Sequence, residues 1–115
     1  MAELDLKERQ AGDVTILDLT GEVRIGDSSV ALRDSMRNLA DQGKKKVLLN
    51  LAGVKYIDST GIGELIASYT TIKRQSGQLK LLNLTDRVQN LLVITKLLTV
   101  FDSYDNEAEA LKSFE

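Results

Sequence analysis

The amino-acid sequence predicts one α/β domain built on a mixed, partly parallel β-sheet, with about four helices packed against it. Its 115 residues suit one compact domain. Short apolar runs of strand length alternate with segments whose apolar residues recur at helical spacing. A hairpin followed by α, β, α, β, α, β and α predicts right-handed crossovers with helices covering the sheet. We therefore expect a single domain over residues 1–115.

Two predicted strands near the start of the chain form a hairpin. The first is an apolar-rich run at residues 4–8, and the second is the run VTILDL at residues 14–19. They are joined at Ala11-Gly12-Asp13, which contains residue types that favour tight turns. We therefore expect these two strands to pair.

A helix is predicted over residues 28–42. Asp27 or Ser28 is the candidate N-cap, and Gly43 marks the C-terminal end. Apolar side chains stand at helical spacing, namely at Leu32, Met36, Leu39 and Ala40. This apolar face is expected to pack against the sheet.

The central part of the chain predicts a strand, a helix and a second strand. The nearly continuous apolar run at residues 47–51 is typical of a strand covered on both faces. A helix follows over residues 60–75 with Gly77 as its stop signal, and a buried strand lies at residues 79–84. The helix carries apolar residues at helical spacing, namely Ile62, Leu65, Ile66, Tyr69 and Ile72.

The C-terminal part predicts two helices around a short strand. Thr85 is the candidate N-cap of the first helix, and the last helix is expected to begin near Asp105. A strand is predicted between them at residues 99–101. The apolar positions of the two helices are Val88, Leu91 and Leu92 in the first and Ala108, Leu111 and Phe114 in the second.

Composition excludes several classes of chemistry. The chain has no Cys, His, Pro or Trp, which excludes disulfides, thiol nucleophiles, Cys or His zinc sites and Ser-His-Asp triads. A net charge of −2 and an aromatic content of 4% argue against direct nucleic-acid binding. The run MAELDLKERQ lacks the apolar core of a signal peptide, and no run is long enough for a membrane span. We expect a cytoplasmic protein without membrane contact, cofactor or metal.

The segment YIDSTGIG at residues 56–63 lies between a buried strand and the strongest predicted helix. Asp58, Ser59 and Thr60 can each cap that helix, but only one can do so. Gly61 and Gly63 each cost about 0.5–1 kcal/mol relative to Ala inside a helix. Close approach of another backbone would explain both glycines, and it could come from this domain or from a partner protein.

The same segment does not match a nucleotide-binding or catalytic motif. A dinucleotide fingerprint needs a third glycine where this chain has Ile66, and no Gly-Lys-Ser/Thr run is present. Ser59 lacks a histidine base, which argues against an enzyme. A serine at a helix start is, however, a suitable phosphate acceptor, because the helix N-terminus tolerates an anion.

Residues 47–65, VLLNLAGVKYIDSTGIGEL, resemble the signature of anti-sigma factor antagonists, which are single-domain members of the STAS domain family. The family pattern is an apolar strand followed by Asp-Ser-Ser/Thr-Gly-Leu/Ile-Gly opening a helix, and each of these positions matches. Because the length and the order of elements also agree, the resemblance covers essentially the whole chain. It implies a STAS-like fold.

The resemblance also implies partner switching. In this family, the unphosphorylated protein binds an anti-sigma factor that is also a serine kinase, and this binding frees a sigma factor. Phosphorylation of the motif serine releases the kinase, and a PP2C-type phosphatase restores the free serine. Carried over to this chain, Ser59 is the phosphoacceptor, and Asp58 and Thr60 flank it on the partner-binding surface. Gly61 and Gly63 would permit close backbone approach, and the chain would be a substrate rather than an enzyme.

One departure from the family pattern concerns the choice of partner. Family members usually read Gly-x-apolar-Asp after the second strand, whereas this chain has Arg24 in the acidic position. Arg24 changes the charge of a loop expected near the partner, and so bears on which kinase binds. Two alternatives stand beside the switch. One is a non-switching STAS module that regulates a transporter or a lipid-trafficking complex, and the other is an α/β domain whose Asp-Ser-Thr run is only a cluster of capping residues.

Overall fold

The structure is a computed structural model that describes residues 4–115. Its strands are β1 (Leu4–Ala11), β2 (Val14–Val23), β3 (Lys46–Ile57), β4 (Gln78–Leu82) and β5 (Ser103–Tyr104). Its helices are α1 (Asp27–Asp41), α2 (Ser59–Arg74), α3 (Asp86–Ile94) and α4 (Glu107–Lys112), with a 3₁₀ turn at Leu98–Val100. None of the helices in this part of the chain is long and apolar enough to cross a lipid bilayer.

The five strands form one mixed sheet in the order β1-β2-β3-β4-β5. β1 and β2 are antiparallel, and the remaining three pairs are parallel. Ala11 pairs with Val14 across a two-residue turn, and Gly12 supplies the positive φ of 61° that this turn requires. The predicted fold class is confirmed, with a hairpin at one edge and parallel strands joined by helices.

The sheet has a core on each face. Three helices cover one face, where their buried side chains include Leu32, Leu65 and Val88. The short helix α4 covers the other face with Ala110 and Phe114. Neighbouring residues of β3 point into different cores, and this explains why its apolar run is continuous rather than alternating.

The prediction of a strand at residues 99–101 is wrong. The 3₁₀ turn lies there instead, and β5 follows two residues later. Phe101 is buried, and its ring meets that of Tyr69 edge to face at 5.4 Å. The apolar character of this run therefore reflects the burial of Phe101 and not the pairing of a strand. Pairing with β4 begins one residue later, where the Asp102 carbonyl accepts from the Leu81 N–H at 2.9 Å.

The ends of two helices also differ from prediction. Gly26 is the N-cap of α1 and makes no side-chain capping bond, so neither Asp27 nor Ser28 fills that role. The Ser28 hydroxyl instead donates to the Arg24 carbonyl at 3.0 Å, which draws it back onto the preceding loop. The N-cap of α4 is Asn106 rather than Asp105. In that helix Ala108 is exposed and Ala110 is buried, because the face that packs on the sheet carries Ala110 and Phe114, which are four residues apart.

β3 is much longer than the predicted run at residues 47–51. Its second half pairs with the end of β2, from Thr20 opposite Gly53 to Val23 opposite Ile57, with register shifts on the way. A Cβ at Gly53 would lie 2.9 Å from the Leu19 carbonyl oxygen, so this close crossing needs glycine. The extension carries the chain to the start of α2.

A salt bridge joins α1 to α2. The Arg33 Nε lies 3.1 Å from Oε2 of Glu64, and a terminal nitrogen of Arg33 contacts the same oxygen. Glu64 is only 8% exposed, so its carboxylate depends on this partner for a hydrogen bond.

Replacing Arg33 by Ala should lower the free energy of unfolding by about 1–3 kcal/mol, because a nearly buried carboxylate loses its hydrogen-bond donor. Urea denaturation followed by circular dichroism measures this. Arg37→Ala on the same helix is the matched control, because Arg37 is exposed and makes no ion pair within residues 4–115. It should cost less than about 0.5 kcal/mol, and equal effects of the two substitutions would contradict the prediction.

Candidate functional site

The candidate site lies where β3 passes into α2. β2 and β3 are parallel and end side by side at Val23 and Ile57. The Asp58 N–H then donates to the Val23 carbonyl at 3.2 Å, and α2 begins at Ser59. The site therefore stands at the carboxyl ends of two parallel strands, where open α/β sheets generally place their binding crevices.

Asp58 is the residue that caps α2. Its Oδ1 accepts a hydrogen bond from the Gly61 N–H at 2.9 Å, as an N-cap side chain does. Its Oδ2 accepts from the Ile25 N–H at 3.1 Å. One carboxylate therefore holds both the start of α2 and the loop between β2 and α1.

The hydrogen bonds also determine the acidity of Asp58. Its partial burial alone would raise the pKa, but the backbone N–H groups of Gly61, Ile25 and Thr60 favour the ionised form. The net result is a pKa below the ordinary value of an aspartate. Asp58 is therefore a permanent anion at neutral pH.

Because Asp58 takes the capping role, the serine next to it has none. Ser59 is the first residue of α2 and is exposed, and Thr60 is half-buried. Within residues 4–115, neither hydroxyl makes a side-chain hydrogen bond. The Ser59 hydroxyl is therefore presented to solvent at the positive end of a helix dipole.

The two glycines of α2 have different surroundings. A Cβ at Gly61 would lie 2.6 Å from Cγ1 of Ile57 and 2.7 Å from the Val23 carbonyl oxygen. Gly61 is buried, so the backbone it approaches is inside this domain and not in a partner. A Cβ at Gly63 would meet nothing within 4 Å, and Gly63 is exposed. Of the two explanations that the sequence left open, the internal one accounts for Gly61.

Arg24 lies beside the site on the loop after β2. A terminal nitrogen of Arg24 pairs with Glu22 at 2.8 Å. Its guanidinium carbon is 4.5 Å from the centre of the Tyr56 ring, which is cation–π distance. The structure thus brings Arg24 to the end of β3 that leads into Ser59.

Helix α3 contributes residues to the site that the sequence did not predict. A surface groove of about 660 Å³ runs between the β3–α2 junction and this helix, with Tyr56, Asp58 and Ser59 on one side. The α3 side is formed by Arg87, Asn90, Leu91 and Ile94. These residues stand at i, i+3, i+4 and i+7, so the spacing identifies a helix face. It does not say that the face lies opposite Ser59.

Two large apolar side chains are exposed close to the serine. Ile94 lines the groove and is 75% exposed. Ile25, whose N–H binds Asp58, is 76% exposed. Exposed aliphatic side chains around a polar centre are typical of a surface that binds another protein.

The sheet is mixed and five-stranded, and the helix after the third strand begins on an exposed serine beside the aspartate that caps it. This arrangement defines a small α/β domain of the STAS type. The chain belongs to the STAS domain family, because the family model matches residues 5–110. It is 34% identical over 99 residues to the anti-sigma-B factor antagonist of Bacillus subtilis. The aligned region covers 86% of this chain and 87% of that protein.

Solved structures share the fold. An anti-sigma factor antagonist from Mycobacterium paratuberculosis matches with a TM-score of 0.83 and 18% identity, over 96% of this chain and 93% of that chain. The Bacillus cell fate determinant SpoIIAA in its phosphorylated form matches with a TM-score of 0.76 and 17% identity, over 96% of this chain and 100% of that chain. At these identities the likeness shows the architecture alone.

The contrast between the two glycines can be measured. Gly61→Ala should lower the free energy of unfolding by about 1–3 kcal/mol, because its Cβ overpacks the end of β2. Gly63→Ala has open space and should raise it by about 0.5–1 kcal/mol through helix propensity. Urea or thermal unfolding of the two variants compares them directly. A stable Gly61→Ala protein would show that the close contact is not needed.

The low pKa of Asp58 predicts a pH-dependent contribution to stability. A carboxyl with a folded pKa below its unfolded value stabilises the fold above the unfolded pKa, near 3.8, and loses that contribution as the pH falls through the folded value. Asp58→Asn keeps a side chain that can cap the helix. Its amide is uncharged and has one oxygen, so it cannot accept from both the Gly61 N–H and the Ile25 N–H. The difference in unfolding free energy from wild type should therefore be constant above about pH 5 and shrink below about pH 4.

This pH dependence is measured by urea unfolding at a series of pH values. Asp105→Asn removes one exposed carboxylate elsewhere and controls for net charge. A difference between wild type and Asp58→Asn that is unchanged down to about pH 2.5 would contradict the assignment of the two hydrogen bonds to an ionised Asp58.

Proposed function

We propose that this protein is an anti-sigma factor antagonist that switches partners through phosphorylation of Ser59. The observation that carries the proposal is the exposed Ser59 hydroxyl at the start of α2, left without a capping role by Asp58. Unphosphorylated, the protein binds an anti-sigma factor that is also a serine kinase, and a sigma factor is freed. Phosphorylation releases the kinase, and a PP2C-type phosphatase regenerates the binding form.

Two similarities support this proposal. The relative with 34% identity is named as an anti-sigma-B factor antagonist and covers most of this chain. SpoIIAA, which has the same architecture, has been solved in a phosphorylated form. A protein of this kind acts on other regulators in the cytoplasm, and it is the substrate of the kinase and phosphatase rather than an enzyme.

The local structure can accept a phosphate on Ser59 without unfolding. Ser59 is exposed, so its hydroxyl is not needed for packing or for the cap of α2. The N-terminal end of a helix favours an anion. The fold would therefore persist in both forms, and the switch would operate at the surface.

The change at the surface would be large. A phosphate adds about −1.5 to −2 charges to a protein whose net charge is −2, and it adds them next to the Asp58 anion. The proposed partner surface comprises Ser59, Thr60, Gly63 and the exposed Ile25 and Ile94. A charged group in the middle of such a surface costs a docked partner both desolvation and repulsion.

Arg24 bears on which partner binds. Its charge is partly offset by Glu22 at 2.8 Å, and it stands where other family members commonly carry an acid. A kinase that recognises this chain would therefore present a surface compatible with a cation at the β2–α1 loop. This is a specificity role, separate from that of Ser59.

The proposal is tested by phosphorylation in vitro. The purified protein is incubated with ATP and a kinase-type anti-sigma factor that binds it, and intact mass is measured. Wild type should gain one phosphate and Ser59→Ala none. Thr70→Ala is the matched control, because it removes an exposed hydroxyl from the same helix outside the proposed partner surface and should still gain the phosphate. Phosphorylation of Ser59→Ala would show that another residue is the acceptor.

Binding gives a second readout. Ser59→Asp should keep the wild-type circular dichroism spectrum and lose kinase affinity, whereas Ser59→Ala should keep its affinity. Circular dichroism checks the fold of Ser59→Asp, and isothermal titration calorimetry measures the kinase affinity of both variants. If neither wild type nor Ser59→Ala binds a kinase-type anti-sigma factor, the result would favour the non-switching STAS module.

A further inference from the structure

The α3 side of the groove presents an arginine to the proposed phosphoacceptor. Arg87 lines the same groove as Ser59. Its guanidinium carbon lies 4.0 Å from the centre of the Tyr56 ring, three residues before Ser59 on the chain. Stacking on a ring that belongs to β3 restricts where this cation can go.

Within residues 4–115, the donors of Arg87 are unused, because Arg87 makes no ion pair and no side-chain hydrogen bond there. Arg9, Arg24 and Arg33, by contrast, each pair with a carboxylate. Arg37 and Arg74 are also without a carboxylate partner there, but neither lines this groove. Arg87 therefore combines an unpaired guanidinium with a position in the groove that Ser59 also lines.

Among residues 4–115, the cation that lines the groove without a carboxylate partner is Arg87. Asp58 also lines the groove, and its two oxygens already accept backbone N–H groups. Arg24 contacts the same Tyr56 ring but is paired with Glu22. A phosphate on Ser59 would thus experience repulsion from Asp58, and Arg87 is the group that can offset it.

We propose that Arg87 binds the phosphate of phosphorylated Ser59 within the same chain. This inference rests on the proposed phosphorylation of Ser59. A guanidinium offers a planar set of donors that matches phosphate oxygens, which an ammonium group does not. The contact would bridge the groove from α2 to α3.

Such a bridge would give the switch a steric component. The groove between Ser59 and α3 leads to the half-buried Leu91 and the exposed Ile94. A phosphate drawn onto Arg87 would occupy the groove that a partner side chain needs to reach these residues. Release of the partner would then follow from occlusion as well as from charge.

The test uses the full chain with phosphoserine incorporated at position 59 during translation, so it does not depend on any kinase. The second pKa of the phosphate is measured by ³¹P NMR titration. A cation in contact favours the dianion, so Arg87→Gln should raise this pKa by about 0.5–1 unit relative to the wild-type phosphoprotein. Arg87→Lys should give an intermediate value, because it keeps the charge and loses the planar set of donors.

Arg74→Gln is the matched control, since it removes the same charge at the other end of α2 and should leave the titration of the phosphate unchanged. In the wild-type phosphoprotein, the Arg87 Nε–H resonance should also shift relative to the unphosphorylated protein. Identical phosphate titrations in wild type, Arg87→Gln and Arg87→Lys would overturn the inference.

The two proposals can fail separately. If the kinase does not phosphorylate Ser59, the proposed function fails, while the NMR titration still reports whether Arg87 contacts a phosphate at that position. If Ser59 is phosphorylated and the titrations do not differ, only the role of Arg87 fails. Arg87 is exposed, so Arg87→Gln should unfold at the wild-type temperature, and Arg87→Lys serves if it does not.

Discussion

The Asp58 carboxylate is the interaction on which the site depends. It accepts one backbone hydrogen bond from the first turn of α2 and one from the loop after β2, while its own N–H binds the end of β2. These three bonds join segments that are distant in sequence at the carboxyl ends of parallel strands. Because the carboxylate is held as an anion by several backbone donors, the junction is set before any partner arrives.

The position of Ser59 follows from that arrangement. Once its neighbour caps the helix, the serine is not required for local structure, and its hydroxyl faces solvent. Gly61 allows the first turn of α2 to lie against Val23 and Ile57, so it serves the same junction from inside the domain. Gly63, two residues further along α2, is exposed, and a Cβ there would contact nothing within 4 Å. The motif therefore divides into residues that build the helix start and residues that are displayed by it.

The groove links this helix start to α3. Tyr56 supports two guanidinium groups, from Arg24 and Arg87, within 4.5 Å of its ring centre. The polar part of the groove meets Ser59, and its apolar part continues to Ile94. A surface of this composition suits a partner that is held by aliphatic contacts and released by a phosphate. The proposed function and the proposed role of Arg87 both use this single surface.

Much of the fold and the candidate serine could be predicted from sequence, because hydrophobic periodicity, turn residues and helix caps are short-range signals. The elements that differ from the prediction are those that depend on contacts between distant segments. β3 continues past residue 51 because β2 lies beside it, and residues 99–101 form no strand because Phe101 is buried in the core and does not pair with β4. From the residue types alone, Asp58, Ser59 or Thr60 was expected to start a helix. The choice of Asp58 as the cap, the inward position of Gly61 and the contact of Arg87 with Tyr56 came from the folded structure, because contacts between distant segments depend on how the helices pack across the sheet.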